Sequence, residues 1–166
     1  AAKYDGTMER VARVLRPLST APEADLLIIF KRALFAWMIA DGDMHLKNMA
    51  LLEIAEPGDK QFRSIRMAPL YAAVTTGVFP RLKRDRLALK VNGKDDRLRR
   101  ADFRALAATG GLKAADADAA IDELLGRLTE AVGQITLPKA LEYGADGERM
   151  AKERLDISRS RVESFA

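Results

Sequence analysis

The chain has 166 residues, 48% of them hydrophobic and 31% charged, with a net charge of +4. That length suits one domain or one lobe of a larger protein, and the composition excludes a wholly disordered chain and favours an α-rich globule. There is no cysteine and only one histidine, which excludes a disulfide framework, a thiolate metal site and a cysteine nucleophile, and makes a reducing cytoplasm the expected setting.

In chain order, residues 7–15 carry apolar side chains at helical spacing, and Pro17 with the cluster Ser19-Thr20-Ala21-Pro22 predicts the end of that helix. A second helix is predicted from Pro22, with Glu23 and Asp25 in its first turn, to about Ile39. Its apolar stretch is broken by Lys31-Arg32 and falls short of a membrane span, so it reads as a core helix. Gly42 breaks it, which places Asp41-Gly42-Asp43-Met44-His45-Leu46-Lys47-Asn48 in a loop at its C-terminal end. Residues 49–54 are short and apolar, 56–60 contain Pro57-Gly58, and polarity alternates over 61–67, which together predict a β-hairpin. Residues 70–80 suit either a short helix or an irregular apolar turn, and 87–94 a short strand closed by Asn92-Gly93. Helices are then predicted over 100–108, 114–132, 138–143 and 147–165, with Ala120, Leu124, Leu125, Leu128 and Val132 forming the buried stripe of the 114–132 helix. The basic runs 81–86 and 97–100 can meet phosphate backbones, but helix-rich surfaces carry such charge for solubility too.

The loop 41–48 is the chemically dense passage. Asp41, Asp43 and His45 alternate like the first ligands of a calcium loop, yet Leu46 stands where the glycine is needed and Leu52 where the closing glutamate is needed. Zinc requires more histidine or cysteine than the chain owns. An ordinary turn is the bland reading, since Asp, Gly and Asn are common turn formers and one histidine beside a core helix is more often structural. The third reading is phosphoryl transfer: Asp43 and Asn48 have the Asp-x-x-x-x-Asn spacing in which the Asp takes the proton of a substrate hydroxyl and the Asn binds magnesium.

The stretch Asp43-Met44-His45-Leu46-Lys47-Asn48, then a hairpin, then Met67-Ala68-Pro69-Leu70-Tyr71 resembles the C-terminal kinase lobe of HipA-like serine/threonine kinases, the toxins of HipA/HipB toxin–antitoxin systems. Residues 87–94 are similar to that family as well, and the likeness covers most of the chain. The resemblance implies a mainly α, kinase-like C-terminal helical lobe with a small β-hairpin over residues 1–166, the N-terminal ATP-covering lobe being absent. It implies Asp43 as catalytic base, Asn48 as a magnesium ligand, and His45 and Lys47 on the cofactor side of the loop, with Lys47 toward the transferred phosphate and His45 closer to a structural role. ATP and Mg2+ are the implied cofactors. The implied partners are a protein substrate and a helix-turn-helix antitoxin of the HipB type, with DNA reached only through that antitoxin and no membrane.

Two departures matter. The family places its second metal-binding Asp directly after the Pro-Leu-Tyr run, and here that position is Ala72, with no Asp or Glu between Asp59 and Asp85. A methyl group cannot ligate magnesium, so metal-dependent transfer is expected to fall by orders of magnitude. Either the chain is a degenerate kinase or the aspartate has been replaced deliberately. There is also no Gly-x-Gly-x-x-Gly and no strand lysine of the Val-Ala-Ile-Lys type; Gly110-Gly111 sits between helices and reads as a helix stop. With an opening Ala1-Ala2-Lys3-Tyr4-Asp5 that has no initiator Met, the expectation is a lobe excerpted from a longer protein and inactive alone. The alternative is a non-catalytic helical module that binds protein or DNA.

Overall fold

A computed structural model describes residues 2–83, 86–136 and 144–165. The elements, in order, are helix α1 (Met8–Leu18), helix α2 (Pro22–Met38), strands β1 (Leu51–Ile54) and β2 (Ser64–Met67), and helices α3 (Arg100–Gly110), α4 (Ala114–Gln134) and α5 (Gly144–Glu163). Short 3-10 turns at Ala2–Tyr4, Leu46–Asn48, Thr76–Val78 and Pro80–Leu82 complete it. This is the expected mainly α lobe with one small hairpin.

Helix α2 is the axis of the core. Leu26, Ile29, Phe30, Ala33, Leu34, Ala36, Trp37 and Met38 are all buried, so it is covered on nearly every side. It touches α1, α3, α4 and α5 as well as β2. A helix so enclosed cannot shift without opening the core, which gives rigid anchorage to whatever follows its C-terminus. Phe103 of α3 packs edge-on to Phe30 with ring centres 6.1 Å apart and lies 5.6 Å from Phe165, so the chain's last turn closes on the same core.

Helix α1 starts at Thr7, whose hydroxyl accepts the Arg10 N–H at 3.2 Å, and buries Met8, Ala12 and Leu15 at helical spacing. It runs to Leu18 with Pro17 inside its last turn, slightly beyond the expected stop, and the Ser19 N–H donates to the Leu15 carbonyl. At the end of α3, Gly111 takes a φ of 79°, and a Cβ there would fall 2.4 Å from Arg16 Nη1, which donates to the Gly110 carbonyl. Gly110-Gly111 is thus the helix stop read from the sequence.

The hairpin is antiparallel, with Leu51 opposite Met67 and Ile54 opposite Ser64. The second strand is shorter than the alternation over 61–67 suggests: it starts at Ser64, opposite the last residue of β1, and the Arg63 N–H donates to the Ile54 carbonyl at 2.8 Å just before it. Residues 87–94 depart further from expectation. Leu87, Leu89 and Val91 are buried alternately, as in a strand, but among the described residues the pairings are single bridges, Thr7 with Lys90, and Val91 with Lys94 across a turn in which Asn92 and Gly93 have φ of 49° and 74°. Residues 70–75 are irregular, and the two 3-10 turns follow them. The predicted 138–143 helix lies outside the described residues. Helix α5 begins at Gly144 rather than 147 and ends at Glu163. Among the described residues, no helix is long and apolar enough to cross a membrane.

Candidate functional site

Where α2 ends, Ala40 adopts a φ of 55°, and the chain turns out of the core into the loop. The Ala40 carbonyl accepts from the Thr76 N–H at 3.0 Å and the Thr76 hydroxyl at 3.1 Å, and the same hydroxyl accepts the Gly42 N–H at 2.9 Å. Asp41 is buried; its Oδ1 accepts the Asp43 N–H at 3.0 Å and its Oδ2 accepts the Val74 N–H at 3.3 Å. Burial pushes the Asp41 carboxyl above its usual range, against the pull of those two N–H groups and with a further push from Asp43. Farther along, the Tyr71 hydroxyl donates to the Lys47 carbonyl at 3.0 Å. The loop 40–48 and the segment 71–76 are therefore stitched together at three places, which brings Ala72 beside the loop that carries Asp43 and Asn48.

Asp43 emerges from this framework with a side chain 51% exposed. Its Oδ1 accepts the Tyr4 hydroxyl at 3.0 Å, and Lys3 Nζ stands 3.7 Å and His45 Nε2 3.8 Å from the same oxygen. His45 is buried, stacks edge-on against Tyr4 at 5.5 Å, and has no hydrogen-bond partner for Nδ1 among the described residues. Asn48 Oδ1 accepts the His45 N–H at 2.9 Å, closing the Leu46–Asn48 turn, while Lys47 is exposed. A cavity of about 790 Å³ opens on this side, lined by Tyr4, Asp43, Val74, Phe79, Leu82 and Leu87 among others. Asp43 thus sits on a fixed loop at the edge of a space large enough for a peptide segment.

The hairpin is anchored independently. Asp25, in the first turn of α2, is wholly buried and accepts from Ser19 Oγ at 2.6 Å, from Arg66 Nε at 3.1 Å and from the Met67 N–H at 3.1 Å. Burial alone would raise its carboxyl, but the bonds from Arg66, Ser19 and Met67 outweigh it and hold it below the usual range. Arg32 donates to the Ala68 carbonyl directly after β2. The entry to the 69–72 segment is therefore tied to α2 from both sides.

The residues present make an incomplete donor set for magnesium. Asn48 Oδ1 accepts the His45 N–H and keeps a second lone pair, the buried Asp41 carboxylate is turned to the Asp43 and Val74 N–H groups, and Ala72 offers no donor. Among the described residues, no three of His, Cys, Asp and Glu gather closely enough to hold a metal ion. Ala72 itself has a φ of 54°. That left-handed conformation costs an ordinary residue roughly 1–2 kcal/mol and is easier for Asp or Asn, whose short side chains bond locally. An aspartate at 72 would therefore meet this backbone with less strain than alanine does.

Tyr4, Lys3, Asp41 and Thr76 are absent from the sequence-derived site. Asp41 and Thr76 act by holding backbone, and Tyr4 reaches Asp43 across 39 positions, so no local pattern signals it.

Fold and site together define a class: an α-helical lobe in which an Asp-x-x-x-x-Asn loop is slung between a core helix and an antiparallel hairpin. The chain belongs to the HipA-like C-terminal domain family, whose model matches residues 1–132. Among solved structures it is similar to a chain of the Shewanella oneidensis MR-1 complex of the toxin HipA, HipB and its operator DNA, at a TM-score of 0.71 and 15% identity. That match covers 96% of this chain and 35% of the other, so the chain spans about a third of the length of its structural relative. No curated protein matches it in sequence.

Proposed function

We propose that the chain is the helical lobe, residues 1–166, of a HipA-like protein serine/threonine kinase toxin, acting with an N-terminal ATP-covering lobe that is not part of it. In that reading Asp43 accepts the proton of a serine or threonine hydroxyl on a protein substrate while the hydroxyl oxygen bonds to the γ-phosphorus of ATP and the bond to ADP breaks. The observation that carries it is the half-exposed Asp43 carboxylate on a loop fixed by α2 and by the 71–76 segment, since phosphoryl transfer asks the protein mainly for placement. Lys47, exposed beside Asn48, is the loop's cation for the transferred phosphate, and buried His45 is a support. With Ala72 the donor set for Mg2+ is incomplete, so the chain as it stands is a weakened or silent form. The structural relative's assembly with HipB and operator DNA supports a HipB-type antitoxin as partner, DNA being reached through it, in the cytoplasm.

A second reading, a non-catalytic module, draws on Ala72. Its DNA-binding version is weakened by the basic runs themselves, because Lys83 pairs with Glu153 at 2.9 Å, Arg86 with Asp95 at 3.3 Å and Arg100 with Asp122 at 2.6 Å. Asp43→Asn, made in the intact protein carrying Ala72→Asp, tests the base role. Abolished transfer with unchanged thermal unfolding is the expected outcome, and retained transfer would remove Asp43 from the chemistry. Nucleotide binding by the intact protein favours the kinase; steeply salt-dependent DNA retention without nucleotide binding favours the module.

A further inference from the structure

We propose that Tyr4, which lies far outside the loop motif, is the positioning residue that fixes the Asp43 carboxylate and reserves one of its oxygens for the substrate hydroxyl. The proposal rests on the phosphotransfer reading above. A half-exposed aspartate on a loop is free to rotate, whereas a general base must present one oxygen within hydrogen-bond reach of the proton it takes. At Asp43 the surrounding groups all meet one oxygen. Oδ1 receives the Tyr4 hydroxyl at 3.0 Å, with Lys3 Nζ at 3.7 Å and His45 Nε2 at 3.8 Å. No hydrogen bond reaches Oδ2 among the described residues, which leaves that oxygen to the incoming hydroxyl.

Tyr4 is itself held in place. Its ring meets the buried His45 edge-on at 5.5 Å, Lys3 Nζ lies 4.5 Å from its ring centre, and the Asp5 N–H closes the Ala2–Tyr4 turn on the Ala2 carbonyl at 3.2 Å. The Tyr4 hydroxyl is the one hydrogen-bond donor at this oxygen among the described residues, and the Lys3 ammonium stands farther off, at 3.7 Å. Tyr4 also lines the same cavity as Asp43, so the clasp sits on the substrate side of the loop. The side chain is about half exposed, so removing its hydroxyl alone leaves the core untouched.

Tyr4→Phe keeps the ring against His45 and deletes only the donor. Two measurements test it. The first is the Asp43 χ1 distribution by NMR in the chain itself: a single rotamer is expected with Tyr4 and averaging with Tyr4→Phe. The second is steady-state kinetics in the intact protein carrying Ala72→Asp. There Tyr4→Phe should lower kcat by about 10- to 100-fold, the scale of a misplaced catalytic group, with KM for the protein substrate within about twofold; a purely structural role would not separate kcat from KM in this way. An unchanged rotamer, or an unchanged kcat in an active parent, overturns this inference alone. An inactive Ala72→Asp parent overturns the phosphotransfer reading and this inference with it.

Discussion

Replacing Asp25 by alanine should be among the most damaging single changes in the lobe, although Asp25 belongs to no motif. Its carboxylate is 0% exposed and accepts from Ser19 Oγ, from Arg66 Nε and from the Met67 N–H, with Arg66 Nη2 3.1 Å away. Asp25→Ala leaves the buried Met67 N–H without an acceptor, worth about 1–3 kcal/mol. It also strips Arg66 of its counter-charge, but the Arg66 side chain is 39% exposed, so water takes up part of that charge and the total loss falls at about 2–4 kcal/mol, short of the cost of breaking a fully buried pair. Because Met67 ends the strand leading to residues 68–72, the hairpin should loosen before the helices do. Urea unfolding followed by circular dichroism at pH 7 measures the loss. The pH dependence gives a second handle. The folded carboxyl lies below its usual 3.8, so its contribution is present above that value and disappears as pH falls through the lower folded value. The gap between wild type and Asp25→Ala should therefore narrow in strong acid. A loss under about 1 kcal/mol at pH 7, or a gap that widens in acid, would refute this account of the anchor.

Asp102 plays the corresponding part at the start of α3, accepting Asn92 Nδ2 and Lys94 Nζ at 2.8 Å each and the Arg99 N–H at 2.9 Å; Asp102→Ala should cost about 2–4 kcal/mol by urea titration. Arg161 of α5 donates to the Trp37 carbonyl at the end of α2 and lies over the Trp37 ring at 3.9 Å, burial pushing its guanidinium down to about 10, still charged at neutral pH. Arg161→Met should lower stability by about 1–2 kcal/mol and shift Trp37 fluorescence, and Arg161→Lys should not restore it, since a lysine cannot stack a planar group on the ring. Arg32 is the opposite case: it is buried, and Nε and Nη1 have no partner among the described residues. Arg32→Met should be neutral or stabilising by up to about 2 kcal/mol, and a loss above about 3 kcal/mol would mean that its bond to Ala68 outweighs its desolvation.

What the sequence revealed followed from locality. Helices α2 and α4 were legible because their apolar spacing repeats along the chain itself, and the hairpin because Pro57-Gly58 falls between two strand-like runs. Residues 87–94 misled because Leu87, Leu89 and Val91 alternate in burial as a strand would, yet the space beside them is filled by α1 and not by another strand. The site divides in the same way. Asp43 and Asn48 announce themselves by spacing within one loop, and Ala72 by its place after Pro69-Leu70-Tyr71. Asp25 looked like a first-turn acid favoured by the helix dipole; its role as the hairpin's anchor depends on Arg66 and Met67, 41 and 42 positions away. Tyr4, Thr76 and Asp41 likewise act through partners that only folding supplies.

The central claim is that this lobe is built for phosphoryl transfer and lacks one carboxylate. Its most direct test is Mg2+-dependent transfer of the γ-phosphoryl of ATP by the intact protein, measured for the form with Ala72 and for Ala72→Asp side by side. A rise of about 100-fold or more with Ala72→Asp, abolished by chelating the metal, is the predicted result. Equal activity in both proteins, or transfer indifferent to Mg2+, would contradict it.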